Sequence, residues 1–398
     1  MKSFPSIAGQ RGLKWFAAVV FAAGLVWPAP AAPKKVLVVS VTTGFRHGSI
    51  ETAERVIEQI GSESGVFSVD FARVSPPKAP KKPTAPKDSG DAAKLKVEQE
   101  MFETATKAYA IEEARFKQAE KEYSERQKAV LSEKMSLESL NGYDAVIFAN
   151  TTGELPLPDR QGFLDWIKSG RGFVGMHSAT DTLGGFMPYV ECINGNFDGH
   201  PWGGGTLCTF VNHETSHPTV SMYPPSFQWK DEIYQYKHFK PESVRVLLSL
   251  DMSRTKPQMP YHVPVAWVRE YGNGRLFYTN LGHNDATWLD GQYQAHILTG
   301  IRYALKLQDA PAAPNPEVQL AHHRHSIVSY AAGETKKDAA PLLAKAGNAE
   351  WINAVAAAAD GYRNSPNPDP KNATPDEVET ARKKKAGALA ALAAALEK

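Results

Sequence analysis

Lys35 to Val41 (KVLVVSV) is an almost unbroken run of aliphatic, mostly β-branched residues, and it sets aside no polar face for water. A strand written this way must be covered on both sides, as strands of a parallel sheet between two helical layers are. Tyr143 to Asn150 (YDAVIFAN) and Gly172 to Ala179 (GFVGMHSA) repeat the pattern, and Phe67 to Val74 alternates as a further strand. Helical signals stand between them. Gly48 to Ile60 places Ile50, Ala53, Val56, Ile57 and Ile60 on one stripe, and Pro158 to Lys168 opens with Pro and Asp. This alternation predicts an α/β fold built on a parallel sheet flanked by helices. Beyond Gly203 the strands crowd together, at 206–212, 232–239, 244–250, 263–271 and 275–281. Tyr271 to Gly274 is a hairpin turn, and Trp288 to Leu307 is a closing amphipathic helix.

Four segments stand outside that pattern. Lys2, Arg11 and Lys14 precede an apolar run from Trp15 to Trp27 that is short for a bilayer span, and Ala29-Pro30-Ala31 follows as a small-x-small cleavage pattern. The expectation is a signal peptide over 1–31, cleaved near Ala31, and a periplasmic or secreted protein with no stable membrane anchor after cleavage. Ser75 to Lys87 (SPPKAPKKPTAPK) is a Pro/Lys tract, expected to be extended and solvated. Asp91 to Leu140 contains neither Gly nor Pro and favours one long helix, or two with an uncapped bend. Residues 75–140 thus read as an insertion in an α/β domain spanning 34–307. The insertion is either a solvated element or, through 91–140, an arm for an oligomer or partner. Residues 311–398 read as an Ala-rich helical tail, partly disordered, with a Pro/Asn break from Ser365 to Thr374.

Lys and Arg number 45 against 43 Asp and Glu, without the basic excess of a nucleic-acid binder. Cys192 and Cys208 are the only cysteines, which excludes a four-Cys metal site. In an oxidising compartment they could pair, or remain buried thiols.

The histidines are less evenly spread, with nine of twelve between His47 and His296. His47 follows the first strand, His177 the fourth, His200 lies in a Gly-rich loop, and His283 follows the last strand. Parallel sheets converge such positions at one edge. Glu232, Asp181 and Asp285 are carboxylates that could orient or charge the imidazoles, which suits general acid–base work. Arg46 adds a fixed charge. Trp202 and Tyr234, with Tyr189, Tyr223, Trp229, Tyr236 and Trp288, supply aromatic surface that either stacks on a sugar or packs the core. Three His with a carboxylate would suit zinc or a related ion. H-x-H spacing appears at His322-His323-x-His325, in the tail. The sequence therefore requires no cofactor and leaves a divalent metal open. Gly203-Gly-Gly205 lacks the Lys-Ser/Thr of a phosphate loop.

Five stretches in order, VLVVSVTTGFRH (36–47), GMHSATD (175–181), Gly199-His-Pro201, Asp231-Glu-Ile-Tyr234 and PVAWVREYGNGRLFYTNLGH (264–283), resemble the trehalose-utilisation ThuA-like family over roughly Lys34 to Leu307. The resemblance implies a flavodoxin-like sheet of the class I glutamine amidotransferase type and a carbohydrate-related site built from His47, His177, His200, Glu232 and His283. It also implies a small-molecule sugar derivative, such as a 3-keto-glycoside, as partner. His47, His177, Glu232 and His283 are expected to be catalytic. Arg46, Asp181, His200, Trp202, Tyr234 and Asp285 are expected to hold substrate. The amidotransferase turn carries a Cys nucleophile, whereas this chain has Gly175-Met-His177-Ser-Ala179, so glutamine hydrolysis is not expected. The other class of function in view is a non-catalytic periplasmic carbohydrate-binding or scaffold protein.

Overall fold

The computed structural model describes residues 32–87, 90–256, 258, 260–369 and 372–398. The expected signal peptide, 1–31, lies outside them. The strands are β1 (Lys34–Val39), β2 (Phe67–Ala72), β3 (Ala145–Ala149), β4 (Gly172–Met176), β5 (Asn196–Phe197), β6 (Leu207–Asn212), β7 (Ser226–Lys230), β8 (Tyr236–Lys237), β9 (Arg245–Leu250), β10 (Pro264–Tyr271) and β11 (Gly274–Thr279). Nine of them form one sheet in the order β2-β1-β3-β4-β11-β10-β9-β6-β7. The first five in that order are mutually parallel. The remaining four continue the sheet with antiparallel pairings.

The period of two along β1 sorts its residues between two cores. Val36 and Val38 enter a cluster with Val56 and Ile57 of the helix Ile50–Ser64 and Ile297 and Ile301 of the helix Gly291–Ala304. Leu37 and Val39 enter another with Phe163 and Ile167 of the helix Arg160–Lys168 and Tyr189 of the helix Met187–Ile193. Cys208 belongs to the first cluster and Cys192 to the second, so the sheet separates them and both are free thiols. Burial pushes each thiol up to about 12.

The strand expected over 232–239 is not formed. Tyr236 and Lys237 pair with β5, Ile233 makes an isolated bridge to Trp202, and the edge strand is β7 instead. The backbone of Glu232 and Tyr234 is bonded to side chains. Asp231 Oδ1 accepts from Glu232 N, and the Asn280 side chain takes both the N–H and the C=O of Tyr234. The closing helix starts later than expected, at Gly291, because the Asp290 carboxylate caps Gln292 N and Tyr293 N. A separate short turn covers Asp285–Trp288.

The long insertion helix runs Ala92–Lys134, capped by Asp91, and only Gln127 and Leu131 in it are buried. The Pro/Lys tract lies back along it. Pro77 to Pro80 share a cleft with Glu112, Arg115, Phe116 and Ala119, and Pro83 to Pro86 lie by Met101, Phe102 and Ala105. The irregular apolar stripe of the helix thus has a local cover. The tail forms helices Pro316–Thr335, Ala339–Leu343, Ala349–Arg363 and Pro375–Glu397. Ile327, Val328, Trp351, Ile352, Leu392 and Leu396 pack there with Tyr261 of the α/β part. Among the described residues, no helix is long and apolar enough to cross a membrane.

Candidate active site

The carboxyl ends of β1, β4 and β11 lie along one edge of the sheet, with β3 between β1 and β4, and each of the three feeds a loop that delivers one histidine. His47 follows β1, His177 directly follows β4, and His283 follows β11. His177 takes a left-handed backbone, φ 46°, an uncommon conformation for a residue with a Cβ. Bonds from neighbours hold it there. Its Nδ1–H donates to the Asn280 carbonyl at 2.8 Å, and its own carbonyl accepts from the Tyr278 hydroxyl at 2.7 Å. A carbonyl only accepts, so Nδ1 carries a hydrogen and Nε2 is the nitrogen turned into the site.

Glu232 is the hub. Its Oε2 accepts from His283 Nδ1 at 3.0 Å and lies 3.5 Å from His177 Nε2, while Oε1 lies 3.4 Å from His200 Nδ1. His283 Nδ1 and His177 Nε2 are 3.2 Å apart. His47 closes the group, its ring centroid 4.8 Å from that of His177 and 5.2 Å from that of His283. Its Nδ1 is 3.3 Å from Ser178 Oγ and its Nε2 is 3.2 Å from the Tyr234 hydroxyl. One donor atom from each of His47, His177, Glu232 and His283 falls within 4.8 Å of all the others, so these four could hold a metal. The side chains grade from floor to mouth, with His177 0% exposed, Glu232 10%, His283 27% and His200 54%.

The electrostatics follow from that gradient. Burial, reinforced by His177 and His283, pushes His47 down to about 3 and leaves it neutral at pH 7. The hydrogen bond to Glu232 raises His283 against its own burial. Burial alone would raise Glu232, but the hydrogen bonds and charges of His177 and His283 outweigh it and hold the carboxyl far below the usual range. His283 and Glu232 therefore form an ion pair beside a neutral His47.

Other expected residues lie differently. Trp202 is fully buried in the core, its carbonyl accepting from Ile233 N at 2.8 Å, so its indole offers no face to a sugar. Tyr189, Tyr223 and Trp288 are likewise buried. Tyr234 touches His47 from below. Arg46 is drawn away to Glu51 at 2.9 Å. Asp181 lies in the short turn His177–Asp181, its carboxyl raised by burial against the charge of His177. Asp285 is exposed at the start of its own turn.

Four contributors escaped the sequence reading. Asp231 is fully buried, and its carboxylate accepts from Glu232 N, Gly282 N and Asn284 N, tying the Glu232 loop to the His283 loop. Burial raises this carboxyl, opposed by His177 and by the amides of Gly282 and Asn284. Asn280 anchors both His177 and Tyr234. Phe45, 69% exposed, stands with its ring 5.0 Å from that of His47, while Phe197 stacks on His200 with centroids 5.9 Å apart. Phe45 carried a signal in the sequence, since an aromatic in a loop just before a candidate catalytic His has no core to fill. Gly282 (φ +126°) is required where it stands, because a Cβ there would lie 2.8 Å from the Tyr293 hydroxyl.

The sequence profile of the ThuA family, described as trehalose utilisation, matches residues 95–304. No curated protein matches the chain. A solved ThuA-like protein from Bacteroides uniformis ATCC 8492 is 19% identical, with a TM-score of 0.46, covering 73% of this chain and 98% of its own. Another from Parabacteroides merdae ATCC 43184 is 17% identical, with a TM-score of 0.45, covering 72% and 99%.

Proposed function

The chain belongs to the ThuA family of trehalose utilisation, and from that membership we propose that it is an exported enzyme converting a sugar derivative, such as a 3-keto-glycoside, by general acid–base chemistry at the Glu232 cluster. The observation that carries the reading is the ion pair of Glu232 and His283, 3.0 Å apart, opening toward the half-exposed His200.

A 3-keto sugar suits this equipment because its carbonyl acidifies the hydrogen on C2. Glu232 takes that proton, and the C2–H electron pair becomes the enolate, with protonated His283 beside the charge that develops on oxygen. The enolate then expels the C1 substituent, the C1–O bond breaks with its electrons on the leaving oxygen, and His200 at the mouth returns a proton to it. His177 and His47, neither exposed, brace the pair from behind. Phe45 and Phe197 supply the aromatic surface for the ring that was first sought at Trp202. No thiolate enters, since both cysteines are buried and pushed up to about 12.

The test is incubation with oxidised and unoxidised disaccharides, reading products by mass spectrometry. The oxidised sugar alone is expected to be converted, and His177→Ala to abolish turnover in a protein that still folds. Saturable binding without any product, unaffected by His177→Ala, would instead identify a carbohydrate-binding protein. Export predicts a mature N-terminus near Ala32, read by N-terminal sequencing of protein from the producing cell.

A further inference from the structure

We infer that His47, His177, Glu232 and His283 form a binding site for a divalent first-row transition-metal ion, with three imidazole nitrogens and one carboxylate oxygen as donors. The inference rests on reading this cluster as the active site; the bound ion would take the place of the Nδ1 proton of His283 and itself polarise the sugar ketone.

Geometry carries it. Three of the donor–donor separations are 3.0, 3.2 and 3.5 Å. Donors about 2.0–2.2 Å from a common ion stand roughly 2.8–3.6 Å from one another, in tetrahedral and octahedral arrangements alike. All four donors fall inside the 4.8 Å limit noted above. The Nδ1 hydrogen of His177 goes to the Asn280 carbonyl, so Nε2 is the ring nitrogen aimed at Glu232 Oε2 and His283 Nδ1.

Support from the surroundings is independent of those distances. Metal-binding imidazoles commonly donate the other ring nitrogen to a carbonyl or hydroxyl, which sets tautomer and aim. His177 does so to Asn280, and His47 has Ser178 Oγ at 3.3 Å from Nδ1. The Asn280 bond holds the His177 ring with Nε2 3.5 Å from Glu232 Oε2 and 3.2 Å from His283 Nδ1. Asp231 locks the loops of the two remaining donors together through three backbone amides.

An N3O donor set suits zinc and its first-row neighbours, whereas magnesium and calcium prefer oxygen throughout. The one open side is that of His283 and His200, where a substrate oxygen would complete the coordination. Glu232 would ligate through Oε2 and keep Oε1, 3.4 Å from His200 Nδ1, for the proton.

The experiment uses the full mature chain, stripped with chelator and titrated with Zn²⁺ by calorimetry and with Co²⁺ by visible absorption, Mg²⁺ serving as the hard-ion control. The expected result is saturation at one equivalent of Zn²⁺ or Co²⁺ and none with Mg²⁺. Affinity should fall at least tenfold in Glu232→Gln and at least a hundredfold in His177→Ala, and should not change in His322→Ala. Circular dichroism checks each fold, and the isosteric Glu232→Gln keeps the test open if His177→Ala fails to fold. Equal binding by wild type and Glu232→Gln, or a loss confined to His322→Ala, overturns the site. Turnover separates the two readings. Conversion of a keto sugar by chelated, metal-free protein refutes the metal and keeps the sugar. One-equivalent, Glu232-dependent binding with no sugar converted keeps the metal and refutes the sugar.

Discussion

Two groups of histidines lie against the same sheet. His47, His177 and His283 gather around Glu232 at the carboxyl ends of the parallel strands. His213, His262 and His322 meet at the seam where the tail helix Pro316–Thr335 crosses β9. Ser249 Oγ lies 3.0 Å from His213 Nε2 and 3.4 Å from His262 Nε2, and His322 Nε2–H donates to the Leu250 carbonyl at 2.8 Å. Burial and mutual repulsion push His213 down to about 3 and His262 well below its ordinary value. Burial lowers His322 as well, against the nearby charge of Asp251. Among the described residues, no imidazole of this second group ion-pairs with a carboxylate. Crowding and burial therefore yield only neutral, structural histidines. One carboxylate placed among them, at a mouth that solvent reaches, turns the same residue type into a charged pair fit for chemistry.

Removing that carboxylate should erase the difference and gives the largest expected effect. Glu232→Gln preserves shape and is expected to lower kcat for the keto sugar by about 10²–10⁴-fold. It should also bring the His283 pKa down, followed by NMR titration of the imidazole. A His283 that stays raised would break the contrast.

Asp231→Asn should have an intermediate effect, because it removes charge from a carboxylate that positions two site loops without facing substrate. The expectation is a kcat about tenfold lower with KM little changed, and a loss of roughly 1–3 kcal/mol in stability as buried amides lose a strong acceptor. Denaturant unfolding measures the second effect. Undiminished kcat would show that the loops hold their positions without it.

The smallest effect concerns the seam. An imidazole whose folded pKa is depressed is protonated first in the unfolded chain, so unfolding takes up protons. Its contribution is intact above about pH 6.5 and is lost as pH falls, down to about 3 for His213. The ion pair at the site behaves otherwise. Glu232 contributes above its ordinary 4.5 and loses that contribution as pH falls through its depressed value. His283 contributes below 6.5 and loses its contribution as pH rises through its raised value. His322→Gln should flatten the fall in melting temperature between pH 6.5 and 4 by at most one proton's worth of slope. His283→Gln should leave that acid limb steep and flatten the alkaline side.

Much of this was legible from strand endings. His47, His177 and His283 could be placed together because parallel strands bring their carboxyl ends to one edge, and the runs around them are plainly strands. Glu232 was legible only through its neighbours in the Asp-Glu-Ile-Tyr stretch, and it was assigned to a strand that does not form. That stretch has strand-like composition, yet the backbone of Tyr234 is claimed by Asn280, and Asp231 ties the stretch to Gly282 and Asn284, all about fifty residues away. No local pattern records such a claim. Trp202 misled for a related reason. An aromatic in a Gly-rich loop reads as exposed, but the loop folds its indole under the sheet, and Phe45 takes the surface instead.

The long insertion helix can be restated in mechanical terms. It is a cantilever of about 50 Å from Ala92 to Gln127, at 1.5 Å per residue. It is clamped by the buried pair Gln127 and Leu131 and by the ion pair of Lys134 with Asp70 at 3.1 Å. The clamp reaches the chain leading to the site, since Gln127 Nε2 donates to the Thr42 carbonyl at 2.7 Å, five residues before His47. That one bond joins the base of the arm to the loop that carries one of the three central imidazoles.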